Sequence, residues 1–131
     1  MRGHRDLVAW QKAMDLTKQI YVLTNCFPKH ELYGLTSQLR RAAVSVPSNL
    51  AEGAARNSRR EFGYFVSTAR GSLAEIETQI ELAAFLEYIS QGQAAQVFAA
   101  VNDIGRLLNG LRNWSVGPPQ DQKPETRNKK L

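Results

Sequence analysis

The chain has 131 residues and a formal net charge of +5, with a sequence pI of about 9.7. Its content of 43% apolar and 22% charged residues is that of one soluble globular domain, and it has no apolar run long enough to span a membrane. A single cysteine, Cys26, cannot form an internal disulfide, which favours a reduced cytoplasmic protein.

The first predicted helix begins near Asp6, a suitable N-cap residue, and ends at about Asn25. Its apolar residues are spaced by four and three, as in the seam of a coiled coil. Trp10, Met14 and Tyr21 widen this stripe, which is typical of a helix that contacts two neighbours or another subunit. The seam comprises Ala9, Ala13, Leu16, Ile20, Leu23 and Phe27.

The second predicted helix runs from Leu35 to about Gly53, and a glycine suits the position just after a helix end. Pro47 falls inside it, where it lacks an N–H and crowds the carbonyl of Ala43. Small residues surround Pro47 and good helix formers follow it, so the pattern predicts one helix with a kink at Pro47. The apolar stripe comprises Leu35, Leu39, Ala42 or Ala43, Val46, Leu50 and Ala54.

The third predicted helix runs from Ser58 to about Ile89, and Ser58 with Glu61 has the spacing of a capping box. Gly63 and Gly71 each weaken the helix by about 1 kcal/mol relative to alanine. Packing must offset this loss, so we expect a close approach of another helix at Gly71. The seam comprises Phe62, Phe65, Ala69, Leu73, Ile76, Ile80 and Ala83.

The fourth predicted helix opens with a second capping box, Ser90 with Gln93, and runs to about Asn113. Short connections between four amphipathic helices favour an all-α, antiparallel up-down-up-down four-helix bundle over residues 1–114. Residues 115–131 have no periodicity and three prolines, which predicts a flexible basic tail. The apolar stripe comprises Val97, Val101, Ile104, Leu108 and Leu111.

Arginines are concentrated around the second helix and the start of the third. Arg40, Arg56, Arg59 and Arg60 are the predicted outward-facing set, which would neutralise RNA or DNA phosphates. The alternative is that these charges only solvate the surface and pair within the fold. Aromatic residues that could stack on unpaired bases are missing nearby, apart from Phe62, Tyr64 and Phe65. Any binding is therefore expected to read backbone or shape and little sequence.

Arg41 has a different predicted role, because adjacent helical residues point about 100° apart. A hairpin of helices two and three brings Arg41 opposite Glu75, with Ser45 one turn further along helix two. The sequence therefore predicts that Arg41, Ser45 and Glu75 form a polar seam within the bundle, which fixes register more than it adds stability.

The chain offers no group of residues expected of an enzyme or a metalloprotein. Helix three carries several glutamates, but neither His4 nor His30 follows a glutamate by three residues, as in di-iron bundles. Cys26 and His30 have no third residue to orient them for nucleophilic catalysis. The sequence predicts no catalytic residue, no metal and no cofactor.

Several segments together resemble one known family: Asp6-Leu7 through Trp10, the Phe27-Pro28 turn, Leu32-Tyr33-Gly34-Leu35, QLRRAAVSVPSNLAEG and ARGSLAEIETQIELA. They are similar to the four-helix-bundle proteins encoded in intervening sequences of large-subunit ribosomal RNA genes. The resemblance covers about residues 6–113 and implies an antiparallel four-helix bundle, whose relatives form homopentamers. A related member is the accessory protein of diversity-generating retroelements, which binds nucleic acid and a reverse transcriptase.

Two hypotheses of function follow. The favoured one is a cytoplasmic, non-enzymatic homo-oligomer, expected to be a pentamer, that binds RNA or DNA as an accessory factor through its basic surface. The alternative is a scaffold that binds another protein and no nucleic acid. Neither hypothesis involves a membrane.

Overall fold

The computed structural model describes residues 3–117. Within that range the chain is all-α, with four α-helices and no strand, as the apolar periodicity predicted. One short 3₁₀ turn precedes the first helix and another precedes the second. The helices are α1 Val8–Thr24, α2 Leu35–Ala54, α3 Arg59–Phe85 and α4 Gln91–Val116.

One apolar core lies between the helices and is built mainly from the predicted stripes. Each fully buried aliphatic side chain contributes roughly 1.5–3 kcal/mol relative to an exposed one. The stripe of α3 differs from the prediction, because Val66 is fully buried and Phe65 is only half-buried. The largest aliphatic side chains that are fully buried are Leu16, Ile20, Leu39, Leu50, Ile76, Ile80, Ile104 and Leu108.

Pro47 lies inside α2 and is buried. Because proline has no N–H, the carbonyl of Ala43 loses its usual helical donor. The hydroxyl of Thr17 on α1 lies 3.1 Å from that carbonyl oxygen and 2.8 Å from the carbonyl oxygen of Ala13, so it can donate to either. When this hydroxyl donates to Ala43, a side chain of the neighbouring helix replaces the hydrogen bond that the proline removes, which helps α2 to continue through this position.

The predicted capping box is complete at the start of α4, whereas at the start of α3 only its serine hydrogen bond is formed. The Ser58 hydroxyl accepts a hydrogen bond from the Glu61 N–H at 3.1 Å. The Ser90 hydroxyl accepts from the Gln93 N–H at 3.1 Å, while the Gln93 side chain accepts from the Ser90 N–H at 2.8 Å. These bonds satisfy N–H groups that have no partner within the helix.

The predicted cap of α1 at Asp6 was wrong. Asp6 ends the first 3₁₀ turn, and α1 begins at Val8 after Leu7, with no side-chain hydrogen bond at its N-cap. The backbone forms this turn instead, since the Leu7 N–H donates to the His4 carbonyl at 2.9 Å.

Helix α3 ends at Phe85, before the predicted end at Ile89. The Tyr88 N–H donates to the Ala83 carbonyl at 2.8 Å, and the Glu87 N–H donates to the Ala84 carbonyl at 3.0 Å. This pair of bonds is a Schellman motif, which requires a left-handed residue, and Glu87 takes that conformation with a φ of 64°. A glutamate at this position gives no sequence signal for the helix end, because glycine is the usual residue there.

The glycines of the helices were assigned wrongly from the sequence. A Cβ at Gly71 would meet no atom within 4 Å, so no helix approaches closely there. The close approaches are at Gly63, where a Cβ would lie 2.5 Å from the Ser115 hydroxyl of α4, and at Gly53, where it would lie 2.8 Å from the Phe65 Cβ. Gly53 is therefore a packing position inside α2, and it does not follow the helix end as predicted.

Helix α4 continues to Val116, with Ser115 buried against α3. Residues 118–131, which make up most of the predicted basic tail, lie outside the described residues. Among the helices described, none combines the length and the apolar character that crossing a membrane would require.

Candidate nucleic-acid interface

Arg40 lies against the C-terminal end of α1 and does not point outward as predicted. Its Nε donates to the Thr24 hydroxyl at 2.8 Å, and a terminal nitrogen donates to the Asn25 side-chain oxygen at 3.2 Å. The guanidinium carbon also lies 4.8 Å from the centre of the Tyr21 ring. The donors of Arg40 are used within the fold, which stabilises the contact between α1 and α2.

Arg56 and Arg59 are exposed near the turn between α2 and α3. The Arg56 guanidinium lies 4.9 Å from the centre of the Phe65 ring and pairs with Glu52 at 3.5 Å. The Arg59 guanidinium lies 4.4 Å from the centre of the Trp114 ring. Each guanidinium therefore lies over an aromatic face.

Arg60 borders an open cleft of about 590 Å³ between α3 and α4. Arg112 of α4 lines the same cleft, so two arginines that are distant in sequence face one space. No carboxylate oxygen within residues 3–117 lies within 4.0 Å of either guanidinium. The other lining residues are Gly63, Tyr64, Ser67, Ser115 and Val116.

The predicted polar seam lies in a groove between α2 and α3 that Arg41, Ser45 and Glu75 all line. Arg41 and Glu75 are exposed, and no ion pair within 4.0 Å joins them in the described part of the chain. Two other contacts cross the groove: Ser72 donates to Ser45 at 2.8 Å, and the Gln79 side-chain amide donates to the Gln38 side-chain oxygen at 3.5 Å. The side-chain oxygen of Gln79, buried in this groove, accepts no hydrogen bond from residues 3–117.

The perturbed carboxylates of the described chain lie in structural contacts away from the cleft. Hydrogen bonds from the Leu35 N–H at 2.9 Å and the Tyr88 hydroxyl at 2.8 Å lower the pKa of Glu31. The Lys12 ammonium at 2.8 Å lowers the pKa of Asp103 on α4. Each carboxylate joins two parts of the chain, so these shifts report packing and do not indicate an acid–base site.

Residues 3–117 contain no group of three or more His, Cys, Asp or Glu residues that could hold a metal. Cys26 is exposed, and its thiol donates to the Leu23 carbonyl at 2.9 Å.

These features define a small all-α protein of four long helices with an arginine-rich cleft. The model of the 23S rRNA-intervening sequence protein family matches residues 5–110. The chain belongs to this family, as its sequence motifs suggested.

The chain is also similar to a crystal structure of a protein with unknown function from the S23 ribosomal protein family of Bacteroides thetaiotaomicron VPI-5482. The two superpose with a TM-score of 0.75 at 23% sequence identity, covering 80% of this chain and 98% of that chain. At this identity the likeness supports the fold alone. No curated protein matches the sequence.

Proposed function

We propose that this chain is a non-enzymatic, self-associating accessory protein that binds the backbone of RNA or DNA. The observation that carries the proposal is the pair Arg60 and Arg112, which face one cleft with no described carboxylate within 4.0 Å. Cations in this state attract phosphates and release counterions when they bind them. Arg56 and Arg59 extend the basic surface, whereas Arg40 is assigned to the fold.

Salt-titrated binding tests this proposal. The full-length protein is titrated into labelled RNA and DNA of unrelated sequence, and fluorescence anisotropy gives the affinity at several salt concentrations. We expect binding at low salt that weakens steeply as the salt concentration rises. For B-DNA, the logarithm of the binding constant should fall by about 0.9 per phosphate contact for each tenfold rise in salt concentration. The proposal fails if neither RNA nor DNA binds at low salt.

Self-association into a homopentamer, which the family resemblance implies, is part of the same proposal. It is supported by apolar side chains that α1 leaves exposed, since Val8, Met14 and Val22 are 51%, 47% and 64% exposed. Exposed apolar patches mark interaction sites more often than isolated exposed residues do. Light scattering should give about five times the chain mass of 14.7 kDa; a monomer that persists at high concentration would contradict this part.

The finer architecture belongs to the proposal as well: an antiparallel up-down-up-down bundle with α2 kinked at Pro47. Contacts between α2 and α3 support the antiparallel order, because positions 53, 45 and 38 of α2 meet positions 65, 72 and 79 of α3. An experimental structure tests the kink. An axis bend above about 20° at Pro47 is expected, and a straight axis would contradict it.

The alternative function is a scaffold that binds another protein. A specific observation favours it, since Leu82, Phe85 and Leu86 at the end of α3 are 44%, 82% and 48% exposed. Large apolar side chains grouped in this way are typical of protein interfaces. Absence of nucleic-acid binding at low salt would leave this alternative.

A further inference from the structure

The ring of Tyr64 is open to solvent beside the basic cleft. Tyr64 is 62% exposed, whereas Phe62 on the same helix is only 2% exposed. The rings of Phe65 and Trp114 are each covered by an arginine. Within residues 3–117 neither a second ring nor a guanidinium covers Tyr64, so its faces are available to a planar ligand.

The two arginines line the same cleft as this ring. Arg60 precedes Tyr64 by four residues on α3, a spacing that puts both on one helix face. Arg112 lines the cleft from α4. An exposed aromatic ring in the same cleft as two arginines that have no carboxylate nearby combines the groups that bind an unpaired base and its neighbouring phosphates.

The space also suits such a ligand. The cleft has a volume of about 590 Å³, within the range of about 300–1,000 Å³ for small-molecule sites. Ser67 and Gly63 also line the cleft, and Gly63 is where α3 approaches Ser115 of α4 closely. A duplex keeps its bases stacked on one another and would leave the Tyr64 ring unused, so the geometry favours a single strand.

We infer that the cleft between α3 and α4 binds single-stranded nucleic acid, with one base stacked on Tyr64 and the adjacent phosphates held by Arg60 and Arg112. This inference rests on the proposed function and narrows it to the strand state of the ligand and to two residues, Tyr64 and Arg112, that are not among the predicted binding residues.

The test compares labelled oligo(dT) and oligo(U) with a duplex of equal length, using the full-length protein and fluorescence anisotropy. Tyr64→Ala should weaken single-strand binding on the order of tenfold, and Tyr64→Phe should retain it, because stacking needs only the ring. Tyr33→Ala is the matched control, since Tyr33 is 93% exposed and does not line the cleft. Circular dichroism checks that each variant is folded.

A second comparison isolates the phosphate contacts. The salt slope is the slope of the logarithm of the binding constant against the logarithm of the salt concentration. Arg112→Gln should reduce the magnitude of this slope for single strands by about 0.7. Arg106→Gln, on the same helix, should leave the slope unchanged, because Arg106 is already paired with Asp103 at 3.2 Å.

Different results would overturn the proposed function and the single-strand inference. If neither single strands nor duplexes bind at low salt, the proposed function fails and this inference fails with it. If duplexes bind as tightly as single strands and Tyr64→Ala changes neither affinity, the proposed function survives and this inference is overturned.

Discussion

Helix α2 and the cleft between α3 and α4 both carry arginines, but these arginines differ in the partners that the fold provides for them. On α2, Arg40 donates to Thr24 and Asn25 and lies over a tyrosine ring. At the cleft, the guanidinium groups of Arg60 and Arg112 have no carboxylate within 4.0 Å in the described chain. Contacts with the neighbouring helix therefore determine whether an arginine stabilises the fold or remains available to a ligand.

The largest effect is expected where α2 meets α3 most closely. Gly53→Ala should lower the free energy of unfolding by about 2 kcal/mol, because the new Cβ would lie 2.8 Å from the Phe65 Cβ. Urea denaturation measures the change. Gly71→Ala is the matched control on α3, where the new Cβ meets no atom within 4 Å.

Alanine favours helix over glycine by about 1 kcal/mol, so Gly71→Ala should stabilise the protein by about that amount. Opposite signs for the two substitutions would support the contrast between a closed and an open helix face. A stabilising Gly53→Ala would show that α2 and α3 are not packed as closely as described.

A smaller effect is expected from the arginines themselves. Arg40→Ala should lower the free energy of unfolding by about 1.5 kcal/mol, because it removes hydrogen bonds from a charged group to α1. Arg60→Ala should change stability by less than about 0.5 kcal/mol, as for other surface positions. The comparison breaks down if thermal denaturation finds the two variants equally stable.

The hydroxyl of Thr17 should contribute about 1 kcal/mol to the free energy of unfolding by donating a hydrogen bond to the Ala43 carbonyl, which Pro47 leaves without a donor. Thr17→Val tests this by urea denaturation. In a Pro47→Ala background the helix supplies its own N–H, so Thr17→Val should then cost much less. Equal costs in both backgrounds would mean that the interhelical bond does not compensate for the proline.

The smallest effect is a pH dependence at the start of α2. Because hydrogen bonds lower the folded-state pKa of Glu31, its stabilisation is fully present above the ordinary pKa of 4.5 and is lost as pH falls through the folded value. Urea denaturation from about pH 6 to pH 3 should show a shallower decline for Glu31→Gln than for the wild type. Glu81→Gln, which is exposed on α3, is the control. If the free energy of unfolding declines with falling pH as steeply in Glu31→Gln as in the wild type, the lowered pKa of Glu31 does not contribute to stability.

The same contact limits stability in alkali, because the hydrogen bond to Glu31 raises the pKa of Tyr88 above its ordinary value of 10.0. The neutral hydroxyl is favoured in the folded state, so this contribution is present below pH 10.0 and is lost as pH rises through the folded pKa.

Features set by neighbours in sequence could be predicted. The caps at Ser58 and Ser90 follow from a residue and its partner three positions later. The core stripes follow from helical periodicity, since burial of one face is the main source of helix stability in a protein.

Features set by packing could not be predicted. Tertiary contacts determine that another helix lies close to Gly53 and that none lies close to Gly71. The Thr24 acceptor of Arg40 likewise lies on a different helix. Glu87 ends α3 in a conformation that glycine usually adopts, so the sequence carries no warning of it. The exposure of Tyr64 follows from helical spacing, because it lies off the stripe that buries Phe62, but its place beside Arg112 depends on how α3 packs against α4.

The central claim is that Arg60 and Arg112 of one cleft bind nucleic-acid phosphates. The most direct measurement is the salt dependence of single-strand binding for the wild type and for the Arg60→Gln, Arg112→Gln double variant. The salt slope of single-strand binding should be smaller in magnitude by about 1.4 in the double variant, because each lost phosphate contact removes about 0.7. Identical slopes, with both proteins folded and binding, would contradict it.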